Sequence, residues 1–66
     1  MRVTANGEPI DLVDGAALVD LFEHLGVGAK WVVAEVNGQA VPRREMAALR
    51  LADGDVIELV RAVAGG

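Results

Sequence analysis

Residues 17–26 have the sequence ALVDLFEHLG, the one long helical pattern in a chain of 66 residues. The apolar residues of this stretch follow the i, i+3, i+4, i+7 spacing of one helix face, namely Leu18, Leu21, Phe22 and Leu25. Gly26 suits a left-handed C-terminal cap. The pattern therefore predicts a single amphipathic helix from about Ala17 to Leu25, with its apolar stripe in the core.

Two Asn-Gly dipeptides, Asn6-Gly7 and Asn37-Gly38, interrupt strand-like stretches on either side of this helix. Asn-Gly is the pair that best accepts the positive φ angles of a tight type I′ hairpin. Apolar and polar residues alternate around the first dipeptide, and β-branched residues precede the second. Residues 1–13 and 31–41 are therefore each predicted to form a β-hairpin.

A connector and a last strand follow the second hairpin. Pro42 ends regular pairing, and residues 43–51 are predicted to form a short turn or 3₁₀ segment with two or three buried anchors. After the turn at 53–55, residues 56–60 form the last clear strand pattern. If Ile57 and Leu59 face the helix, the alternate residues of this strand face outward.

The order hairpin, helix, hairpin, connector and strand predicts an α+β domain. One main helix would pack across a mixed sheet of about four to five strands. The chain is long enough for one domain but not for a large catalytic cleft. We expect residues 1–61 to be globular and residues 62–66 to form a flexible tail. An extended segment from 61 to 66 would reach about 20 Å at ~3.3–3.6 Å per residue.

Composition excludes several classes of site. Cysteine is absent, so the chain has no disulfide, thiolate metal site or cysteine nucleophile. A single histidine, His24, cannot assemble a histidine-rich metal site, and no carboxylates have calcium-loop spacing. The net charge of −4, with one Trp and one Phe, argues against binding of nucleic acid. We expect no bound metal and no nucleic-acid partner.

The apolar stretches are only a few residues long, far short of the ~20 needed to cross a bilayer, so no membrane span is expected. The first residues, 1–4, show no charged leader followed by an apolar segment. We therefore expect a cytoplasmic protein, monomeric when free.

The chain ends in Ala64-Gly65-Gly66, which makes the carboxylate of Gly66 a candidate reactive group. Glycines have no Cβ atom, so this ending can run extended through a narrow enzyme channel. The alternative is a chance ending or an inert flexible tail.

The chain resembles the ubiquitin-like β-grasp family, and within it the sulfur carrier proteins of thiamin biosynthesis. The likeness spans nearly the whole chain and rests on five segments: the hairpin at 6–7, the helix at 18–22, and residues 36–43, 51–55 and 63–66. One departure is Ala17, where similar proteins often have a threonine that caps the helix. Because alanine has no side-chain acceptor, the helix start is expected to be weakly fixed.

The resemblance implies a protein that carries sulfur and is not itself an enzyme. An E1-like adenylyltransferase would activate Gly66 with ATP and magnesium, and neither would be bound by this chain. A sulfur donor, such as a cysteine desulfurase persulfide, would convert Gly66 to a thiocarboxylate, which would donate sulfur to thiazole synthase. Gly65 would let the backbone pass between the channel walls, and Ala64 and Val63 would guide the tail.

Five residues are candidates for docking the partners: Val60, Arg61, Val56, Glu58 and Arg43. Val60 is the first choice because it would lie on the outward face of the last strand. The alternative for each is an ordinary solvated surface residue. Trp31 is predicted to lie at the edge of the core or at an interface, with the structural role favoured.

Three other functions stay open at this point. The chain could be a sulfur carrier like the small subunit of molybdopterin synthase, a ubiquitin-like protein modifier, or a plain binding module with an inert tail. The compact length and residues 37–43 favour the thiamin pathway.

Overall fold

The structure, a computed structural model, describes residues 1–61. The predictions about Val63, Ala64, Gly65 and Gly66 lie outside the described residues. The described part contains one α-helix, α1 (Leu18–Leu25), and two short 3₁₀ turns, Ala29–Trp31 and Arg43–Glu45. Its five strands are β1 (Arg2–Ala5), β2 (Glu8–Asp11), β3 (Val32–Val36), β4 (Gln39–Val41) and β5 (Val56–Arg61).

The five strands form one mixed sheet in the order β2-β1-β5-β3-β4. β5 is parallel to β1 and antiparallel to β3, while the two hairpins are antiparallel. The last strand of the chain thus lies in the middle of the sheet. This arrangement confirms the predicted α+β class, with one helix and a mixed sheet.

Both Asn-Gly turns adopt the predicted geometry. The φ angles are 49° and 83° at Asn6 and Gly7, and 52° and 84° at Asn37 and Gly38. Positive φ at both central residues is the mark of a type I′ turn, whose twist matches that of the flanking strands.

The core lies between α1 and the helix-facing side of the sheet. Its buried residues come from the helix, the three central strands and the connector: Val3, Ala5, Leu18, Leu21, Phe22, Val32, Ala34, Met46, Leu51 and Ile57. Met46 and Leu51, with the partly buried Leu49, are the anchors predicted for residues 43–51.

Two apolar residues lie outside the core that their sequence patterns favoured, while the interface alternative for Trp31 stays a prediction. Leu25 is 37% exposed because it is the last helical residue, where the chain turns away at Gly26. Trp31 belongs to a 3₁₀ turn rather than to the second hairpin, which begins at Val32, and the indole is 50% exposed. Neither residue is a core side chain.

The start of the helix makes more hydrogen bonds than we expected from an alanine at the cap position. Ala17 is buried, and its N–H donates to Asp20 Oδ2 at 2.7 Å, which is one half of a capping box. The residues beside Ala17 are bonded to the connector: Leu18 N–H donates to the Leu49 carbonyl and Leu51 N–H to the Ala16 carbonyl, each at 2.9 Å. Bonds to the connector thus hold the backbone at the helix start in the absence of a side-chain cap.

The asparagines of the two turns also bond to β5. Asn6 Oδ1 accepts from Leu59 N–H at 2.7 Å, and Asn6 Nδ2 donates to the Leu59 carbonyl at 3.2 Å. Asn37 Oδ1 accepts from Val56 N–H at 2.9 Å, while Asn37 N–H donates to the Val56 carbonyl at 2.7 Å. Each turn therefore extends the pairing of its hairpin onto the central strand.

The first hairpin, formed by β1 and β2, carries an exposed ion pair between Arg2 and Asp11, which lie directly opposite each other. The guanidinium, 2.8 Å from Asp11 Oδ1, holds the pKa of Asp11 below its ordinary value by hydrogen bonding and charge. Because both side chains face solvent, the pair contributes little to stability.

The Asn6 contacts can be separated from the turn geometry. Replacing Asn6→Gly keeps the freedom to adopt positive φ but removes both amide bonds to Leu59. We expect a loss of about 1–2 kcal/mol in the free energy of unfolding, from those bonds and from the entropy of glycine. Faster amide hydrogen exchange at Leu59 should accompany it.

The matched control is Asn6→Asp, which tolerates positive φ and keeps an acceptor for Leu59 N–H. It should be less destabilising and should protect Leu59 better than Asn6→Gly. Equal exchange at Leu59 in the wild type and Asn6→Gly would contradict the role of the amide.

Candidate functional site

The described part of the site is β5, which ends at Arg61, directly before residues 62–66. Ile57 is fully buried against the helix and Leu59 is half-buried, while Val56, Glu58 and Val60 are exposed. The predicted alternation is confirmed. Val60, at 64% exposure, is the apolar side chain of β5 most open to solvent.

β3 extends this exposed surface beside β5. Val33 lies directly opposite Val60, and its side chain is also exposed. Together Val33 and Val60 form an apolar patch on the side of the sheet away from the helix, which we call the outer patch; Val56 is exposed on the same side, beyond Glu58. Val33 was not among the docking residues predicted from the sequence. Its alternation with Val32 and Ala34 was visible, but its place beside Val60 depends on the register between two distant strands.

Two carboxylates lie next to the outer patch. Glu35 of β3 is directly opposite Glu58 of β5, and both are exposed. Neither takes part in an ion pair with any residue of the described range 1–61. Like charges directly opposite across a sheet are destabilising. The outer patch therefore has an acidic border that a basic group on another protein would neutralise.

Arg61 and Arg43 do not join the outer patch. Arg61 has the same parity as Ile57 and Leu59 and lines a groove on the helix side of the sheet together with Trp31 and Val32. Arg43, in the turn after β4, donates to the Lys30 carbonyl at 2.9 Å. The five predicted docking residues thus divide between an acidic, apolar surface and a basic one.

The described residues offer no assembled catalytic or metal centre. His24 is exposed on the polar side of α1, and no group of three His, Asp or Glu side chains within 1–61 could hold a metal ion. The only helix described, eight residues long, is too short to span a bilayer. What this part of the chain presents is a pair of exposed surfaces on either side of the strand that leads to residues 62–66.

The mixed sheet with a central last strand and one helix across it defines a ubiquitin-like β-grasp protein. Comparison with known proteins adds the family: the model of the ThiS family matches residues 3–66. The chain belongs to the ThiS family.

Relatives and solved structures agree with this assignment. The sulfur carrier protein ThiS of Thermus thermophilus is 39% identical over 64 residues, covering 97% of this chain and 98% of that protein. A crystal structure of the thiamine biosynthesis protein ThiS from Geobacter metallireducens matches with a TM-score of 0.84 and 30% identity, and each chain is covered completely. The chain is thus a homologue of a sulfur carrier.

A third match is of another kind. A thiazole synthase of Paramagnetospirillum magneticum is 32% identical over 66 residues, which is the whole of this chain but 20% of that protein. The similarity therefore concerns one part of a larger protein.

The opposed glutamates of the site yield a stability prediction. Replacing Glu58→Gln should raise the free energy of unfolding by about 0.2–1 kcal/mol at neutral pH, because it removes the repulsion from Glu35. Urea unfolding at low and high salt measures this increase in the free energy of unfolding, which should be smaller at high salt because salt screens the charges.

A double-mutant cycle supplies the control. Once Glu35→Gln is present, Glu58→Gln should bring no comparable further gain, because the repulsion is already absent. Glu23→Gln, a change at an exposed carboxylate of α1, serves as the matched single variant. Equal gains from Glu58→Gln with and without Glu35 would show that the two carboxylates do not interact.

Proposed function

We propose that this chain carries sulfur on the carboxyl group of Gly66 and delivers it for the thiazole ring of thiamin. The observation that carries the proposal is the family match, which runs to residue 66, together with 39% identity to a sulfur carrier over nearly the whole chain. The fold supports it, because the last described strand is central and firmly paired and leads directly to the segment that would bear the sulfur.

The chemistry requires activation of Gly66 by a partner. A carboxylate is anionic and has no good leaving group, so sulfur cannot displace its oxygen directly. In the proposed sequence, an E1-like adenylyltransferase transfers AMP from ATP to the carboxylate and releases pyrophosphate. A persulfide, such as that of a cysteine desulfurase, then attacks the carbonyl carbon and AMP leaves. A thiol then attacks the donor's sulfur of the resulting acyl disulfide, which forms a disulfide between the thiol and the donor and releases the thiocarboxylate of Gly66.

The chain would be a protein substrate in these steps rather than an enzyme. ATP and magnesium would be held by the adenylyltransferase, and Gly65, Ala64 and Val63 would occupy its channel. A thiazole synthase is proposed as the acceptor, supported by the similarity of this chain to part of one such protein. We propose the cytoplasm as the compartment, because ATP for the activation is available there.

The outer patch is proposed as the surface that docks the partners. Val33 and Val60 give it exposed apolar area, Glu35 and Glu58 beside them give it charge, and Val56 lies beyond these carboxylates on the same face. Apolar anchors supply most of the binding energy of an interface, and charges at its border set orientation and association rate.

The reaction at Gly66 is tested by intact-mass measurement. Incubation with the adenylyltransferase, ATP and a sulfur donor should increase the mass by the replacement of one oxygen by sulfur. A variant without Gly65-Gly66 should fold, by circular dichroism, but gain no mass because the activated group is missing. Loading of the truncated chain would refute Gly66 as the site.

The products also separate the alternative functions. Covalent conjugates to other proteins would indicate a ubiquitin-like modifier. Transfer of sulfur only to a molybdopterin precursor, and none to thiazole synthase, would overturn the thiamin assignment in favour of a carrier like the small subunit of molybdopterin synthase.

Docking through the outer patch is tested by Val60→Lys. The change places a charge in the middle of an apolar contact, so the KM for the chain in the adenylation reaction should rise by about tenfold or more. The matched control is Val13→Lys, at a valine that is 79% exposed and lies outside the sheet. Equal effects of the two variants would show that the outer patch is not the docking surface.

A further inference from the structure

A groove of about 330 Å³ lies on the helix side of the sheet, at the end of β5. Its lining comes from the loop after α1, the first 3₁₀ turn, the start of β3 and the last described residue: Gly26, Val27, Gly28, Trp31, Val32 and Arg61. The groove is thus separated from the outer patch by the sheet itself, and it begins where residues 62–66 continue the chain.

Trp31 is held in place although half of it faces solvent. The backbone N–H of Trp31 donates to the Gly28 carbonyl at 3.0 Å, which fixes the turn that carries the indole. A Cβ atom on Gly28 would lie 3.1 Å from Trp31 Cδ1, so the indole packs against the bare backbone of the loop. A large apolar ring that is positioned by its own loop but half exposed offers a ready contact for an apolar side chain of another molecule.

Positive charge surrounds this indole. Arg61 lines the groove, and Lys30 Nζ lies 5.2 Å from the centre of the indole ring. Arg43 is bonded to the carbonyl of the same Lys30. Three of the six Lys and Arg residues in a chain of net charge −4 are therefore gathered at this end, and among residues 1–61 no carboxylate lines the groove.

The position of the groove restricts its occupant. Any enzyme that acts on residues beyond Arg61 must approach this end of the molecule. The positive charges favour carboxylates, and the indole favours one apolar side chain among them. We propose that the groove binds an acidic segment of the activating enzyme, with one aromatic or leucine side chain packed on Trp31. The identity of that enzyme rests on the proposed function.

The two surfaces would then act together. The outer patch has an acidic border, whereas the groove on the other side of β5 is basic. A partner that contacts both must carry the opposite charges in matching places, so the chain docks in one orientation. Complementary charges of this kind contribute to specificity and association rate more than to affinity.

Binding to the groove is measurable without the enzyme, because Trp31 is the only tryptophan of the chain. The probe is the blocked peptide Asp-Glu-Phe-Glu-Asp, titrated to millimolar concentration into the full chain at low salt. It should change Trp31 fluorescence saturably. Control peptides with glycine in place of phenylalanine, or with lysines in place of the acids, should bind at least severalfold more weakly.

Variants of the chain locate the binding. Arg61→Gln should weaken binding of the acidic peptide by up to about fivefold, which is the effect of one exposed charge pair. The double variant Lys30→Gln/Arg61→Gln should weaken the binding further. Arg2→Gln is the matched control. Because β1 is parallel to β5 and Thr4 lies beside Val56, Arg2 is at the opposite end of the sheet. The control should bind like the wild type.

The same variants are then compared in adenylation. Arg61→Gln should raise the KM for the chain severalfold at low salt and leave kcat unchanged. Failure of the acidic peptide to bind, or equal binding of the lysine peptide, would overturn the groove proposal even if Gly66 is loaded with sulfur. If the wild type is not loaded, the proposed function fails, and the peptide titration still decides the groove.

Discussion

The pairing of β5 with β1 on one side and β3 on the other is the constraint on which the rest of the structure depends. It joins the last strand to hairpins from both halves of the chain. The side chains of Asn6 and Asn37 reinforce it by bonding to the backbone of Leu59 and Val56. Without β5, the two hairpins would have no sheet in common, and the helix would lose Ile57 from the middle of its packing surface.

This central position also serves the proposed chemistry. A segment that must enter an enzyme channel needs a firm base, and a strand bonded on both sides is firmer than one at a sheet edge. Alternation along β5 assigns Ile57 to the core and Val60 to the outer patch, so one strand contributes both to stability and to the proposed docking surface. The repulsion between Glu35 and Glu58 opposes folding, and positive charge on a bound partner would relieve it.

Much of the fold could be predicted because its signals are local. The period of residues 18–25, the two Asn-Gly turns and the alternation in 56–60 each depend on neighbours within a few residues, and all three are found. The core position predicted for Leu25, and the one favoured for Trp31, were not found for the complementary reason. Each continues a local apolar or β-rich pattern. Whether its side chain is buried, however, depends on where the opposing layer of the fold ends, and the periodicity of the sequence gives no information about that.

By itself, the sequence determined the helix, the turns, the single mixed sheet and the family, because these follow from local spacing and from segments shared with relatives. Only the tertiary structure decided which residues form surfaces. It set Val33 beside Val60, opposed Glu35 to Glu58, and brought Arg61 to the groove of Trp31. It also showed that the side chain of Asn6 bonds to the backbone of Leu59, which is 53 positions away in the sequence. Such neighbours depend on strand register and packing between distant segments, which no local pattern specifies.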